Sequence, residues 1–215
     1  MKIVEVFFKT ERKFSNKDAE KLRGFMGNYF RNILEFHNHL DEITFNYHSS
    51  IIQYRIVNEE LSILGINKGA DLLLENCQEI TTVDINGEKI EVTPEIKISF
   101  PKIEIKDEPI YKYKFDSLWF ALNSENYKKY LKGELSLEKQ LINNILEFLK
   151  SAEIWIEKKI IVKGEFNQKS IYQKDTKIIG FYGEFYTNIN LPNNISLGKR
   201  KSIGLGRIKK LGLEK

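Results

Sequence analysis

One cysteine, four prolines and no apolar run long enough to span a bilayer set the first limits on this 215-residue chain. A lone Cys77 closes no intramolecular disulfide and builds no thiolate cluster for zinc. No stretch approaches the ~18 uninterrupted apolar residues of a membrane span. The chain opens on a strand-like run, Lys2 to Phe8, rather than on the basic start and apolar core of a signal peptide. A cytoplasmic location, with no membrane partner, is the expectation. A G-x-S-x-G elbow is missing, so Ser-His-Asp hydrolysis has no support. Five residues separate Gly198 from Gly204 and no Lys-Ser/Thr follows, so the P-loop pattern fails. Gly204-x-Gly206 lacks the third glycine of a dinucleotide fingerprint and has no room for the helix and strand that must follow.

Acidic residues are missing from one place in particular. Between Gly198 and Leu213 there are none, while Lys199, Arg200, Lys201, Arg207, Lys209 and Lys210 stand among Gly198, Gly204, Gly206 and Gly212. The formal charge is +4, yet removing those six cations leaves 28 basic residues against 30 acidic ones. The positive field is therefore local, as a binding strip requires and a merely solvated tail also allows. Glycine lets a backbone come close to a ligand, and lysine and arginine neutralise phosphates. Together they suit a polyanion, and RNA is the polyanion expected.

What remains reads as a folded α+β protein, with 41% hydrophobic and 30% charged residues. Ile3–Phe8 has the composition of a strand. A helix is predicted from Ser15 or Asn16, with Ser15 and Asp18 spaced as a capping box and Ala19, Leu22, Phe25, Met26, Tyr29, Phe30, Ile33 and Leu34 on one side. Gly24 and Gly27 within it predict close packing that compensates their helix cost. Strands follow at Ile51–Val57 and Leu61–Ile66, then a helix capped by Asn67 with Ala70, Leu73, Leu74 and Cys77 inward, then a hairpin at Asn86-Gly87. The second half reads as a strand over Tyr111–Leu122, a helix from Ser136, and strands at Ile160–Phe166, Lys169–Gln173 and Ile178–Ile189, without a clear second helix. Two βαββαβ-like halves make two tandem ferredoxin-like (RAMP/RRM-like) domains, antiparallel sheets with helices on one face. The expected domains are 1–107, carrying the histidines, and 108–215, carrying the glycine-rich loop.

All the histidines, His37, His39 and His48, fall in one segment after the first helix, with Tyr47 beside the last. Imidazole takes and gives a proton near neutral pH, and a loop pinned between helix and strand holds such a group exposed. Three readings remain open on spacing alone: surface or packing residues, an acid–base site, or a zinc site of His37, His39, Asp41 and His48. The contiguous His37-Asn38-His39 is not the HNH nuclease signature, whose residues are dispersed over a ββα unit.

Phe181-Tyr182-Gly183-Glu184-Phe185, Asn188-Ile189-Asn190-Leu191-Pro192 and Leu197-Gly198-Lys199-Arg200-Lys201-Ser202-Ile203-Gly204-Leu205-Gly206 resemble the C-terminal pattern of the CRISPR-associated repeat-processing endoribonucleases of the Cas-six type, in the RAMP superfamily. Ile203 departs from it, since many relatives carry arginine there. Leu22-Arg23-Gly24-Phe25-Met26-Gly27, His37-Asn38-His39, Tyr47, Ile52-Gln53-Tyr54-Arg55 and Leu64–Ala70 extend the resemblance to the first half. The resemblance implies a metal-independent cut in CRISPR repeat RNA by 2′-hydroxyl attack, leaving a 2′,3′-cyclic phosphate, with no cofactor. It implies His39 as base or acid, then Tyr47, then His37. It implies RNA binding by Gly198, Lys199, Arg200, Lys201, Ser202, Gly204, Gly206 and Arg207. CRISPR repeat RNA is the expected partner, with room left for other Cas proteins and a homodimer. The alternative is a RAMP subunit that holds guide RNA without cutting it.

Overall fold

Val4, Val6 and Phe8 share one face of β1 (Ile3–Lys9) and are fully buried, and Ile3 and Phe7 on the other face are buried as well, as in a strand inside a sheet. This computed structural model describes residues 1–37, 51–173 and 176–213. Two compact units emerge, one of Met1–Pro101 with Ser202–Gly204, the other of Lys102–Lys201 with Leu205–Lys215.

In the first unit β1 leads to α1 (Asp18–Tyr29), where the Ser15 N–H and hydroxyl both donate to the Asp18 carboxylate at 2.8 and 3.0 Å. Ala19, Leu22, Met26 and Gly27 are its buried side. The predicted helix is shorter than its apolar stripe, and a separate turn, α2 (Leu34–His37), carries the chain to the first histidine. Tyr29 and Leu34 are exposed rather than packed. Gly24 corrects the packing expectation, because a Cβ there would meet nothing within 4 Å. β2 (Ile52–Val57) and β3 (Glu60–Ile66) pair from Val57↔Glu60 upward. Asn58 and Glu59 fill the two-residue turn at φ of 51° and 64°, the left-handed pair that matches strand twist.

Asn67 precedes α3 (Lys68–Asn76), but its Oδ1 accepts from the Lys2 N–H at 3.0 Å instead of capping the helix. Asn86-Gly87 turns β4 (Thr82–Ile85) into β5 (Glu88–Glu91) as predicted. β6 (Thr93–Ser99) then closes a four-stranded antiparallel sheet of order β2-β3-β1-β6. That order with intervening helices is the ferredoxin-like arrangement. Cys77 lies in its core, where burial pushes the thiol up to about 12 and leaves it inert.

The second unit repeats the order with one substitution. β7 (Tyr111–Phe115) is shorter than the predicted strand. The chain turns at Asp116, and Trp119 and Phe120 make only isolated bridges to Phe181 and Lys199. A helix that the apolar pattern did not show, α4 (Ser124–Leu131), has no buried residue. α5 (Leu137–Ser151) starts on Ser136, whose hydroxyl accepts from the Lys139 N–H at 3.3 Å. It lays Leu141, Ile145, Phe148 and Leu149 inward. β8 (Val162–Gln173) is one long strand where two were expected, and it pairs over its whole length with β9 (Thr176–Thr187). A loop with one 3-10 turn, Lys201–Ile203, stands where a second helix belongs, and β10 (Ile208–Leu213) completes the order β10-β7-β9-β8. Trp119 stacks on Phe115 with ring centres 4.9 Å apart, and its indole N–H donates to the Asn144 amide oxygen at 3.0 Å. Among the described residues no helix is long and apolar enough to cross a membrane.

Candidate nucleic-acid interface

The glycine-rich loop is pinned by its own protein before any ligand is considered. Gly206 has φ of 67°, and a Cβ on it would lie 2.0 Å from the Leu197 carbonyl oxygen. Gly204 has φ of 76°, and its Cβ would lie 2.9 Å from the Tyr54 carbonyl oxygen. Only glycine satisfies both conditions at once. Gly198 is buried against the Trp119 indole. The close approach that these three glycines permit is first of all to the protein itself: the Trp119 indole, the β2 backbone and the Leu197 carbonyl. The backbone they shape is what remains for a ligand.

The cations divide in the same way. Lys199 and Arg200 are exposed, with the Arg200 guanidinium 5.9 Å from the Phe120 ring centre. Lys201 is largely covered and ion-paired to Glu147 at 2.6 Å. Arg207, expected on a phosphate, is 5% exposed, with its guanidinium on Asp116 at 2.7 Å. The guanidinium is the covered partner of this pair and the Asp116 carboxylate the exposed one, so a phosphate reached by Arg207 would compete with Asp116 for it.

Ser202–Gly204 belong by their contacts to the first unit. Ser202 Oγ lies within 3.5 Å of an Arg23 guanidinium nitrogen on α1. Gly204 rests on the backbone of Tyr54 and Arg55 in β2. Tyr54 is fully buried, burial pushes its hydroxyl well above the ordinary phenol range, and that hydroxyl donates to the Phe36 carbonyl at 3.0 Å. Phe36 immediately precedes His37, the last residue of α2. One residue of β2 therefore fastens both the glycine loop and the start of the histidine segment. Beyond that segment, the Ile51 carbonyl accepts from the Ile66 N–H at 2.8 Å. A second fastening is the ion pair of Glu35 on α2 with Lys68 on α3, which holds the Glu35 carboxyl below its usual range.

His39, Tyr47, His48 and Asp41 lie outside the described residues, as does the side chain of His37. Among the described residues no group of three or more His, Cys, Asp and Glu is placed to hold a metal ion. Arg23 was missed from the sequence as a site residue, though it stood in the quoted Leu22–Gly27 motif. Its contact reaches across 179 positions to Ser202, which no local spacing reveals.

The Cas6b N-terminal domain family matches residues 1–102 and the Cas6b C-terminal domain family matches residues 105–211. The chain belongs to the Cas6b family. A crystal structure of Cas6b superposes with a TM-score of 0.88 at 26% identity, covering 98% of this chain and 100% of that one. A crystal structure of the CRISPR RNA processing endoribonuclease Cas6b gives 0.73 at 25% identity, again over 98% and 100%. An uncharacterized protein of Methanocaldococcus jannaschii is 38% identical over 119 residues, 52% of this chain and 80% of the relative.

Proposed function

We propose that this chain is an endoribonuclease that cuts CRISPR repeat RNA in precursor transcripts, without a metal ion, to release guide RNAs. The observation that carries the reading is the Cas6b match over both halves of the chain. In the reaction a base takes the 2′-hydroxyl proton and the 2′ oxygen attacks the adjacent phosphorus. The bond to the 5′ oxygen breaks as an acid protonates it, and the products are a 2′,3′-cyclic phosphate and a 5′-hydroxyl. His39 is the first choice for base or acid, Tyr47 the second and His37 the third. The bonds of Tyr54 to Phe36 and of Lys68 to Glu35 support this assignment, because they fix the helical turn from which the chain leads to these residues.

Lys199 and Arg200 meet phosphates, Ser202 turns the backbone toward them, and Gly198, Gly204 and Gly206 give the loop its shape. Arg23 joins this set as a cation beside Ser202 that steadies charge on the phosphorane. The test is purified protein with end-labelled repeat RNA in excess EDTA. A cyclic-phosphate product is expected. A shifted but intact band would instead make the protein a guide-RNA holder, and cleavage abolished by chelation would mean a metal nuclease. His39→Ala is expected to lower the cleavage rate by about 10²–10⁴ with binding retained. Full activity in that variant would remove His39 from the site.

A further inference from the structure

The helix-free faces of the two sheets differ in what they expose. In the first unit Gln53, Arg55, Ser62 and Leu64 occupy that face, and each is at most 1% exposed. In the second unit Phe181 and Phe185 of β9 point inward and are fully buried, so Tyr182, Glu184 and Tyr186 take the opposite side by strand alternation. The register sets cations beside the two tyrosines. Tyr186 lies between Lys112 of β7 and Lys163 of β8, directly opposite both. Lys112 Nζ is 5.3 Å from the Tyr186 ring centre, and Lys169 Nζ is 5.6 Å from that of Tyr182. Lys114 of β7 faces Lys209 of β10 in the neighbouring row.

Among the described residues of β7, β8, β9 and β10, this face carries Lys112, Lys114, Lys163, Lys169 and Lys209 with Glu165 and Glu184, and Lys112 is paired to Glu184 at 2.8 Å. Lys114 has Lys209 opposite it on one side and Glu184 on the other, so an acid of the sheet itself offsets part of that like-charge contact. Tyr182 is exposed and Tyr186 half-buried, and aromatic rings at such a surface flanked by lysines have the chemistry of a single-stranded nucleic acid platform. The rings stack on bases, whose π-faces are open only in unpaired strands, and the ammonium groups follow the phosphates.

We propose that the helix-free face of the second sheet, centred on Tyr182 and Tyr186 with Lys163 and Lys169, is a stacking platform for single-stranded RNA, separate from the glycine loop. It deepens the repeat-processing reading and rests on it only for the identity of the RNA. The platform binds unpaired nucleotides and discriminates against duplex. Fluorescence anisotropy with the full chain tests it, using labelled single-stranded oligoadenylate and a blunt RNA hairpin as probes.

Tyr182→Ala and Tyr186→Ala are each expected to weaken oligoadenylate binding by about fivefold to 150-fold, with hairpin binding changed by less than about twofold. Tyr186→Phe, which keeps the ring, should bind within about twofold of the parent. The pair Lys163→Ala with Lys169→Ala should reduce the slope of log K against log salt by about 1.4 in magnitude. Unchanged oligoadenylate affinity in both alanine variants, equal losses on the hairpin, or a parent protein that ignores oligoadenylate would each overturn the platform. None of these bears on whether the chain cuts repeat RNA, which the EDTA assay reads separately. A platform found in a protein that leaves repeat RNA intact would refute the cutting alone.

Discussion

Two glycines of this chain make opposite demands on the same substitution. Gly206 sits at φ of 67° with the Leu197 carbonyl oxygen 2.0 Å from the site of a Cβ, and that oxygen belongs to backbone which also accepts no easy shift, since the Leu197 N–H donates to the Gly206 carbonyl at 2.9 Å. Gly206→Ala therefore combines left-handed strain with a backbone clash, and a loss of at least about 2 kcal/mol is expected. Gly24 stands in the interior of α1 with nothing within 4 Å, so Gly24→Ala is expected to stabilise by about 0.5–1 kcal/mol through helix propensity alone. Urea unfolding midpoints of the two variants check both signs. The spacing of Gly24 and Gly27 suggested a packing role for each, whereas only Gly27 is buried. Spacing along a helix places two residues three apart without saying what lies opposite either of them. The glycines of the C-terminal loop were legible as special, whereas the approach of Gly204 to Tyr54 and of Gly206 to Leu197 is set by tertiary contact and leaves no local mark in the sequence.

At the scale of elements, the short α2 depends on its ties more than on its own four residues. A single turn has no cooperative helix of its own to rely on. Glu35 contributes one tie through Lys68, and its carboxyl is held below the usual range chiefly by the hydrogen bond from that ammonium. A carboxyl depressed in the folded state adds stability above its unfolded pKa and loses it as pH falls through the folded value. Glu35→Gln is thus expected to lower the unfolding midpoint slightly at pH 7, and the gap between parent and variant should close as pH falls through the depressed folded-state value of the carboxyl. Because the pair is largely exposed, high salt should narrow the gap at pH 7. A difference that persists unchanged below the folded-state value would assign the effect to packing.

Elements whose apolar residues have one consistent side, such as α5 and the Asn86-Gly87 hairpin, were readable from sequence. α4 was not, because a helix with no buried residue leaves no periodic signature. β8 read as two strands because Asn167 and Gln168 are polar neighbours in an exposed hairpin arm, where neither side of the strand needs apolar residues. Tyr111–Leu122 read as one strand because burial continues through Leu118 to Ala121, but the chain there has left the sheet at Asp116.

For the molecule as a whole, charge is the quantity that links sequence to function. The cations outside the C-terminal strip are outnumbered by acids, so RNA affinity has to come from particular groups rather than from a general field. Of the loop cations, Lys199 and Arg200 are exposed, while Lys201 and Arg207 are covered and ion-paired to Glu147 and Asp116. Two more phosphate contacts come from Lys163 and Lys169 on the second sheet. Four contacts to a single strand give a slope of log K against log salt near −3, from about −0.7 for each. The double variant Lys199→Ala with Arg200→Ala is expected to bring that slope to about −1.4 without moving the urea midpoint, since both side chains are exposed and neither fills a core. Arg207→Ala should do the reverse, lowering the midpoint by removing a side chain that is 5% exposed together with its ion pair to Asp116, while leaving the slope of the folded protein unchanged. Binding measured between about 50 and 200 mM salt separates the two cases, and a slope change in Arg207→Ala would place that guanidinium on the RNA after all.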